Sequence, residues 1–238
     1  MARRYASSTR LEIVQAATTL FLDNGFSNTS AKLLCDQLNI STGNLTFYFP
    51  TKEHLLAVLV EMLCDFQKVL AFKAARGGAV RAICLEVAAM AAICDEDPVA
   101  KDFYLSSYTH PITLEIIRRS DADKNRELLQ GYCLDWDEAR FQVAETLVSG
   151  VEYATLMTTE PAIPLDERVR RALHAILAIY QVPSATRQEE IESVLAMDYR
   201  ELGRSFLRDF KQYLHEQSDH AFEEFMEMKR RRQSKQNH

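Results

Sequence analysis

Residues 39–52 read NISTGNLTFYFPTK, from Asn39 to Lys52. Asn39 tolerates the positive φ of a sharp turn, and Ser41 is placed to cap a short helix whose apolar residues Leu45 and Phe49 fall four apart on one face. Pro50 ends that helix. Thr42, Gly43, Asn44, Thr46 and Phe47 are left facing outward, with Tyr48 and Lys52 close behind. So many hydroxyl, amide and aromatic groups outside the core of one short helix point to an external partner.

The flanking residues explain how such a helix is held. Thr9-Arg-Leu-Glu12 has the pattern of a capping box, and Ile13, Ala16, Ala17, Leu20 and Phe21 then recur at helical spacing, so a first helix is predicted from Thr9 to about Asn24. Gly25 stands where a left-handed cap falls. A second, short helix starts after Asn28 or Thr29 and runs to Leu38. Thr51 caps a fourth, with Leu55, Leu56, Leu59, Met62, Leu63, Phe66 and Leu70 along one side, which continues to about Ala75 and ends at Gly77-Gly78. Two short helices joined by a tight turn, locked by Leu34, Leu38, Ile40, Leu45 and Phe49, form a helix-turn-helix, the arrangement that sets a recognition helix in the DNA major groove.

From residue 79 onward the pattern is helix upon helix, at roughly 79–95, 98–109, 112–132, 135–158, 165–181 and 187–215, separated by Pro98, Pro111, Pro161 with Pro164, and Pro183. A further helix is predicted from Ser218 to Arg232 before a polar tail. With only seven Gly and six Pro in 238 residues, breakers are too few for a strand-rich fold. The reading is all-α, with an amino-terminal three-helix DNA-binding domain at 1–52, a connecting helix at 51–75, a helical regulatory and dimerisation domain at 76–232 and a tail at 233–238.

Composition narrows the function. The formal net charge of −6 argues against a wholly polyanion-binding surface, so any nucleic-acid site is local. No apolar run is long enough to span a membrane and no secretory leader is visible, which places the protein in the cytoplasm. Cys35, Cys64, Cys84, Cys94 and Cys133 are odd in number and lack C-x-x-C spacing, so they read as buried apolar residues rather than zinc ligands or disulfides. His215 and His220 are not at the i, i+4 spacing of two ligands on one helical face, and no metal or cofactor is expected. The sequence offers no phosphate loop, H-E-x-x-H or G-x-S-x-G, so no catalytic residues are assigned.

The amino-terminal segment resembles the TetR family of transcriptional regulators. Gly25-Phe26-x-x-Thr29-Ser30 is similar to that family's start of helix two, and Leu34-Cys35-x-x-Leu38-Asn39-Ile40-Ser41 to its turn. Gly43-x-Leu45-x-x-Tyr48-Phe49-x-x-Lys52-Glu53-x-Leu55 follows its recognition helix and the entry to helix four. The likeness covers about residues 9 to 60. It implies phosphate contacts at Thr29, Ser30, Tyr48 and Lys52, and base or nearby backbone contacts at Thr42, Gly43, Asn44, Thr46 and Phe47. Thr46 stands where the family has tyrosine, Asn39 where it has glycine, and Ala31 where it has a larger apolar residue. From Met1 to Lys52 five Lys or Arg face three acids, so phosphate affinity would rest largely on helix N-termini, hydroxyls and an Arg3-Arg4 arm.

The resemblance further implies a homodimer reading a pseudo-palindromic operator on double-stranded DNA, and a small-molecule effector in the larger domain. Candidate pocket residues are Phe103, Tyr104, Tyr108, Trp136, Phe141, Tyr153 and Met157, with His110 a polar addition. For the dimer contact the helices at 135–158 or 165–181, together with 187–215, are favoured; Ala172, Ile176, Ile179 and Tyr180 on one and Ile191, Leu195, Tyr199, Leu202 and Phe206 on another recur at helical spacing, as core residues also would. The basic run Lys229 to Arg232 reads as a solvated helix end or an auxiliary contact. Two rival functions remain open at this stage, a protein-binding adaptor built on a helix-turn-helix and an all-helical enzyme.

Overall fold

The computed structural model describes residues 2–158 and 163–216, and the side chains within 9–158 and 163–214. Arg3 and Arg4 fall where no side chain is described, and Pro161, His220, the predicted helix 218–232, the Lys229–Arg232 run and the tail lie outside the described residues. Among the described residues the secondary structure is helical, with eleven α-helices.

The amino-terminal four are α1 (Ala2–Asn24), α2 (Ala31–Leu38), α3 (Thr42–Tyr48) and α4 (Lys52–Ala74). Helix α1 begins upstream of the Thr9 capping box predicted as its start, so Thr9 and Glu12 lie within the helix. The turns follow the sequence closely. Gly25 takes φ +89° after α1, and Asn39 takes φ 52° and ψ 43° after α2. Ser30 and Ser41 cap α2 and α3 by accepting hydrogen bonds from the amides of Leu33 and Asn44, each at 3.1 Å. Thr51 behaves differently from expectation. It occupies the cap position of α4 without accepting a backbone bond, because its hydroxyl pairs with the His54 ring at 3.0 Å.

A short 3-10 turn (Ala75–Gly77) leads into α5 (Ala79–Glu96), α6 (Pro98–Thr109), α7 (Pro111–Leu129), α8 (Glu138–Met157), α9 (Leu165–Ile179), α10 (Ser184–Leu195) and α11 (Tyr199–Glu216). The single helix predicted over 187–215 is thus two, broken at 196–198. Asp198 starts the second by accepting from the Glu201 amide at 2.9 Å, and Asp198-Tyr-Arg-Glu201 is a capping-box pattern in the sequence. Asp97 and Asp137 cap α6 and α8 in the same way.

Two apolar clusters hold these helices. One joins Ile13, Phe21, Leu34, Leu45 and Phe49 of the amino-terminal module to Leu55 and Leu59 of α4, and continues into Met90, Phe103, Tyr104, Tyr108, Ile117 and Phe210. The other is centred on Tyr180, Phe141, Leu129, Leu173, Val148 and Val169. The first crosses the predicted boundary at 51–75, so the small module rests on the larger one through shared core. Helix α11 lies tight on α5, where a Cβ on Gly203 would come within 2.9 Å of the Ala89 carbonyl oxygen.

Asn39 offers a local test of the turn. Asn39→Gly should leave the urea-unfolding midpoint nearly unchanged. Asn39→Val forces a β-branched residue into the left-handed region and should cost roughly 1–2 kcal/mol in the same measurement.

Candidate nucleic-acid interface and regulatory cavity

Helix α3 divides as its sequence requires. Leu45 and Phe49 are each 3% exposed and anchor it, whereas Phe47 is 79% exposed. Ser41, Thr42, Gly43, Asn44 and Thr46 are also on the surface. Tyr48 is half-buried, its ring meeting that of Phe47 edge-on at 5.1 Å. The Thr46 hydroxyl donates back to the carbonyls of Thr42 and Gly43, at 3.0 and 3.2 Å. A tyrosine here would project a ring instead.

Ser30 is exposed at the start of α2. Its neighbour Thr29 is not available in the same way: it is fully buried, and its hydroxyl donates to the carbonyls of Gly25 and Leu20 at 2.8 and 3.2 Å. Those bonds fix the start of α2, and the side chain has no route to a phosphate in this conformation. Lys52 is also occupied. Its ammonium donates to the Phe26 carbonyl at 2.7 Å and lies 3.9 Å from the Phe26 ring centre. Burial lowers its pKa, opposed by the nearby charges of Glu53 and Asp102.

The loop between α1 and α2 is gripped from α6, a feature that sequence reading missed. Asp102 accepts from the Ser27 amide at 2.9 Å and from the Ser27 hydroxyl. Gly25 makes this approach possible, since a Cβ there would lie 2.7 Å from the Asp102 Oδ2 atom. His110, proposed from sequence as a pocket group, instead packs its ring against Phe26 at 5.3 Å.

The predicted pocket residues separate. Tyr104 lines a cavity of about 310 Å3 between α4, α5, α6 and α11, together with Leu70, Leu85, Met90, Ile93 and Phe206. Tyr108 lines a smaller extension of about 20 Å3 that shares Gln67, Glu86, Met90 and Tyr104 with the first. Phe103 belongs to the core that reaches the amino-terminal module, and Tyr153 packs half-buried at that core's edge. Trp136 and Phe141 meet edge-on in the other core beside Tyr180, and Met157 is 45% exposed. These five side chains line neither cavity: aromatic content marks core as readily as pocket.

A second feature missed from sequence is a polar network at the deep end. Lys124 donates to both Glu86 oxygens at 2.7 and 2.8 Å and to Asp121 at 2.8 Å. Burial alone would lower its pKa, but those two carboxylates raise it well above the usual value. Tyr108 donates to Glu152 at 2.8 Å, while Asn125 and Tyr180 both donate to Glu145. Burial, then the charge of Asp121, pushes Glu152 up to about 8 and holds Glu145 well above the carboxylate range. A signal was present: Glu145 and Glu152 are seven apart in register with the buried Phe141, Val148 and Leu156.

The profile of bacterial regulatory proteins of the tetR family matches residues 13–59, which span α1 to α4. The chain is 38% identical over 66 residues to the HTH-type transcriptional regulator UidR of Escherichia coli strain K12, covering 28% of this chain, and equally so to UidR of Shigella flexneri. The match spans about a third (33%) of the length of these curated relatives. Over the longer chain, RolR in complex with resorcinol superposes with a TM-score of 0.64 at 18% identity, covering 79% of this chain and 95% of RolR. FadR of Thermus thermophilus in complex with lauroyl-CoA does so with a TM-score of 0.55 at 20% identity, covering 74% of this chain and 96% of FadR. The tetR-type amino terminus is therefore joined to a helical domain of the same fold as theirs. Among the described residues no helix is long and apolar enough to cross a membrane.

The raised Glu152 pKa has a measurable consequence. The native state holds a proton on Glu152 that the unfolded chain, with an ordinary carboxyl group, releases nearer pH 4.5. Between that pH and about 8 the native state binds more protons, so this group makes stability fall as pH rises. Glu152→Gln should flatten this part of the urea-unfolding profile and be relatively more stable than wild type at pH 8.

Proposed function

We propose that this protein is a sequence-specific DNA-binding transcriptional regulator, a cytoplasmic homodimeric repressor released from its operator by a small-molecule effector. The exposed, capped recognition helix α3, with Asn44, Thr46 and Phe47 outermost, is the observation that carries this reading. Thr42, Gly43, Asn44, Thr46 and Phe47 face base edges and adjoining backbone, while Ser30 and Tyr48 contact phosphate. Thr29 supports the start of α2 from within. Lys52 reaches phosphate only after leaving the Phe26 carbonyl, so in the free protein it braces the loop. The functional units are a reading head at 1–52, a connecting helix at 51–75 and a regulatory and dimerisation domain from 76 onward.

Of the two helix choices for the dimer face, the one at 135–158 is favoured here. Ala172, Ile176, Tyr180, Ile191 and Tyr199 are 5% exposed or less within the single chain, so they are intramolecular core. Helix α8 instead leaves Val143 and Leu147 66% and 59% exposed, in line with exposed Gly150, Ala154 and Met157. This uncharged stripe alternates four- and three-residue steps, the spacing of a helix-helix seam, and small Gly150 and Ala154 permit close approach. A two-fold pairing through α8, with α9 beside it, presents two copies of α3 to half-sites about one helical turn, roughly 34 Å, or more apart.

The effector belongs in the cavity beside Tyr104. Support comes from its size and apolar walls, and from RolR and FadR, which carry resorcinol and lauroyl-CoA on the same fold. Helix α6 offers a route to the DNA head, because Tyr104 faces the cavity and Asp102, two residues earlier, grips Ser27. An effector favouring one position of α6 would bias the spacing of the two reading heads by its differential affinity for the two states.

Fluorescence anisotropy on the DNA upstream of the protein's own gene, paired with sedimentation, tests this reading. Asn44→Ala and Tyr48→Ala should each weaken binding by roughly tenfold or more while the protein stays dimeric. Leu147→Glu should yield monomers and lose affinity with them. Unchanged DNA binding in all three variants would overturn the assignment.

A further inference from the structure

The cavity's apolar body ends in a polar wall of one prevailing sign. Glu86, Asp121 and Glu152 line the shared deep end, with Gln67, Ser107, Tyr104 and Tyr108. Lys124 neutralises only part of this, since its one ammonium serves both Glu86 and Asp121. The wall thus sets three carboxyl groups against one ammonium, with burial raising the pKa of Glu86 against the pull of Lys124. Burial first, then the charge of Asp121, raises the pKa of Glu152 and of Glu145 behind it. Lys73 lies on the lining but is exposed.

Tyr104 supplies an independent observation. It is 4% exposed, lines both parts of the cavity, and its hydroxyl has no hydrogen-bond partner among the described residues. The Gln67 amide, also on both linings, is equally without one. Both groups lie on the lining and are open to a ligand in the cavity. A ligand head seated between Tyr104, Gln67 and Glu86 would pair the first two and add a contact to Glu86, whose oxygens already accept from Lys124.

We infer that the cavity takes a compact apolar molecule with a cationic amine head, its ring or alkyl body against Leu70, Leu85, Ile93 and Phe206 and its ammonium at Glu86, Gln67 and Tyr104. The inference rests on the effector role of this cavity proposed above and adds the ligand's chemistry. An ammonium offers donors to the acceptor oxygens of Glu86, Gln67 and Tyr104 in a wall where carboxyl groups outnumber cations. A carboxylate head would instead meet the acceptor oxygens of Glu86 at close range, with no proton to donate to them. A neutral hydroxyl falls between the two. The volume of about 310 Å3 is at the small end for ligand cavities, which favours a single mono- or bicyclic body.

Isothermal titration of the full chain without DNA, using 1-naphthylmethylamine, 1-naphthalenemethanol and 1-naphthoate, separates the heads on one body. The amine should bind at least about tenfold more tightly than the carboxylate, with the alcohol between. Tyr104→Phe removes only an unpartnered hydroxyl and should fold normally while weakening amine and alcohol several-fold. Ala89→Leu, which fills the cavity wall, should abolish binding of all three. Equal or tighter binding of the carboxylate, no binding of any probe, or binding that survives Ala89→Leu would each overturn the inference. Operator binding by the free protein is measured separately by anisotropy, so its presence or absence distinguishes failure here from failure of the regulatory reading.

Discussion

The grip of Asp102 on the loop between α1 and α2 is the contact on which the arrangement of the molecule turns. One carboxylate takes both the amide and the hydroxyl of Ser27, and it can do so only because Gly25 has no side chain. Lys52 holds the adjoining Phe26 carbonyl from α4, and the His110 ring covers the Phe26 ring. Three later elements thus converge on a few residues that also set the start of α2. Hydrogen bonds to a charged acceptor are among the stronger local contacts, typically about 1.5–3 kcal/mol each. The helix-turn-helix module is therefore oriented by α4 and α6 as well as by its own small core.

Burial of Thr29 fits this picture. A hydroxyl inside an apolar cluster must find acceptors, and Thr29 finds the carbonyls of Leu20 and Gly25, which ties the end of α1 to the start of α2. Ser30, next in the chain, turns outward and caps α2. Two adjacent hydroxyl residues thus have opposite environments. Sequence position alone treats them as a pair, and only packing separates them.

Local signals made the amino-terminal module legible. Gly25, Asn39, Ser30 and Ser41 act through their own backbone or the next turn, so their roles could be read without knowing the rest of the fold. The same holds for Leu45 and Phe49, whose spacing forces one face inward. The regulatory part depended on distant pairings, and there periodicity misled. Ile176 and Tyr180 recur as an interface would, yet they fill the chain's own core, while the exposed stripe of α8 lay in a helix whose apolar residues occur on more than one side. The break at 196–198 was written in Asp198 and Glu201 and was passed over because no proline marks it. Asp102 carried no local signal, since its partner lies 75 positions away. The cavity was misread because Trp136 and Phe141 resemble pocket residues by type, whereas the residues that shape it include Ala82, Ala89 and Met90.

At the centre of the account is a pair of α3 helices reading two halves of one DNA site. Hydroxyl-radical footprinting of the DNA upstream of the protein's own gene tests that most directly. The account predicts two protected segments on one face of the duplex, related by inverted sequence, with centres about one helical turn or a wider variant apart. Protection that ignores sequence, a single unpaired protected segment, or none at concentrations where the protein is dimeric would contradict it.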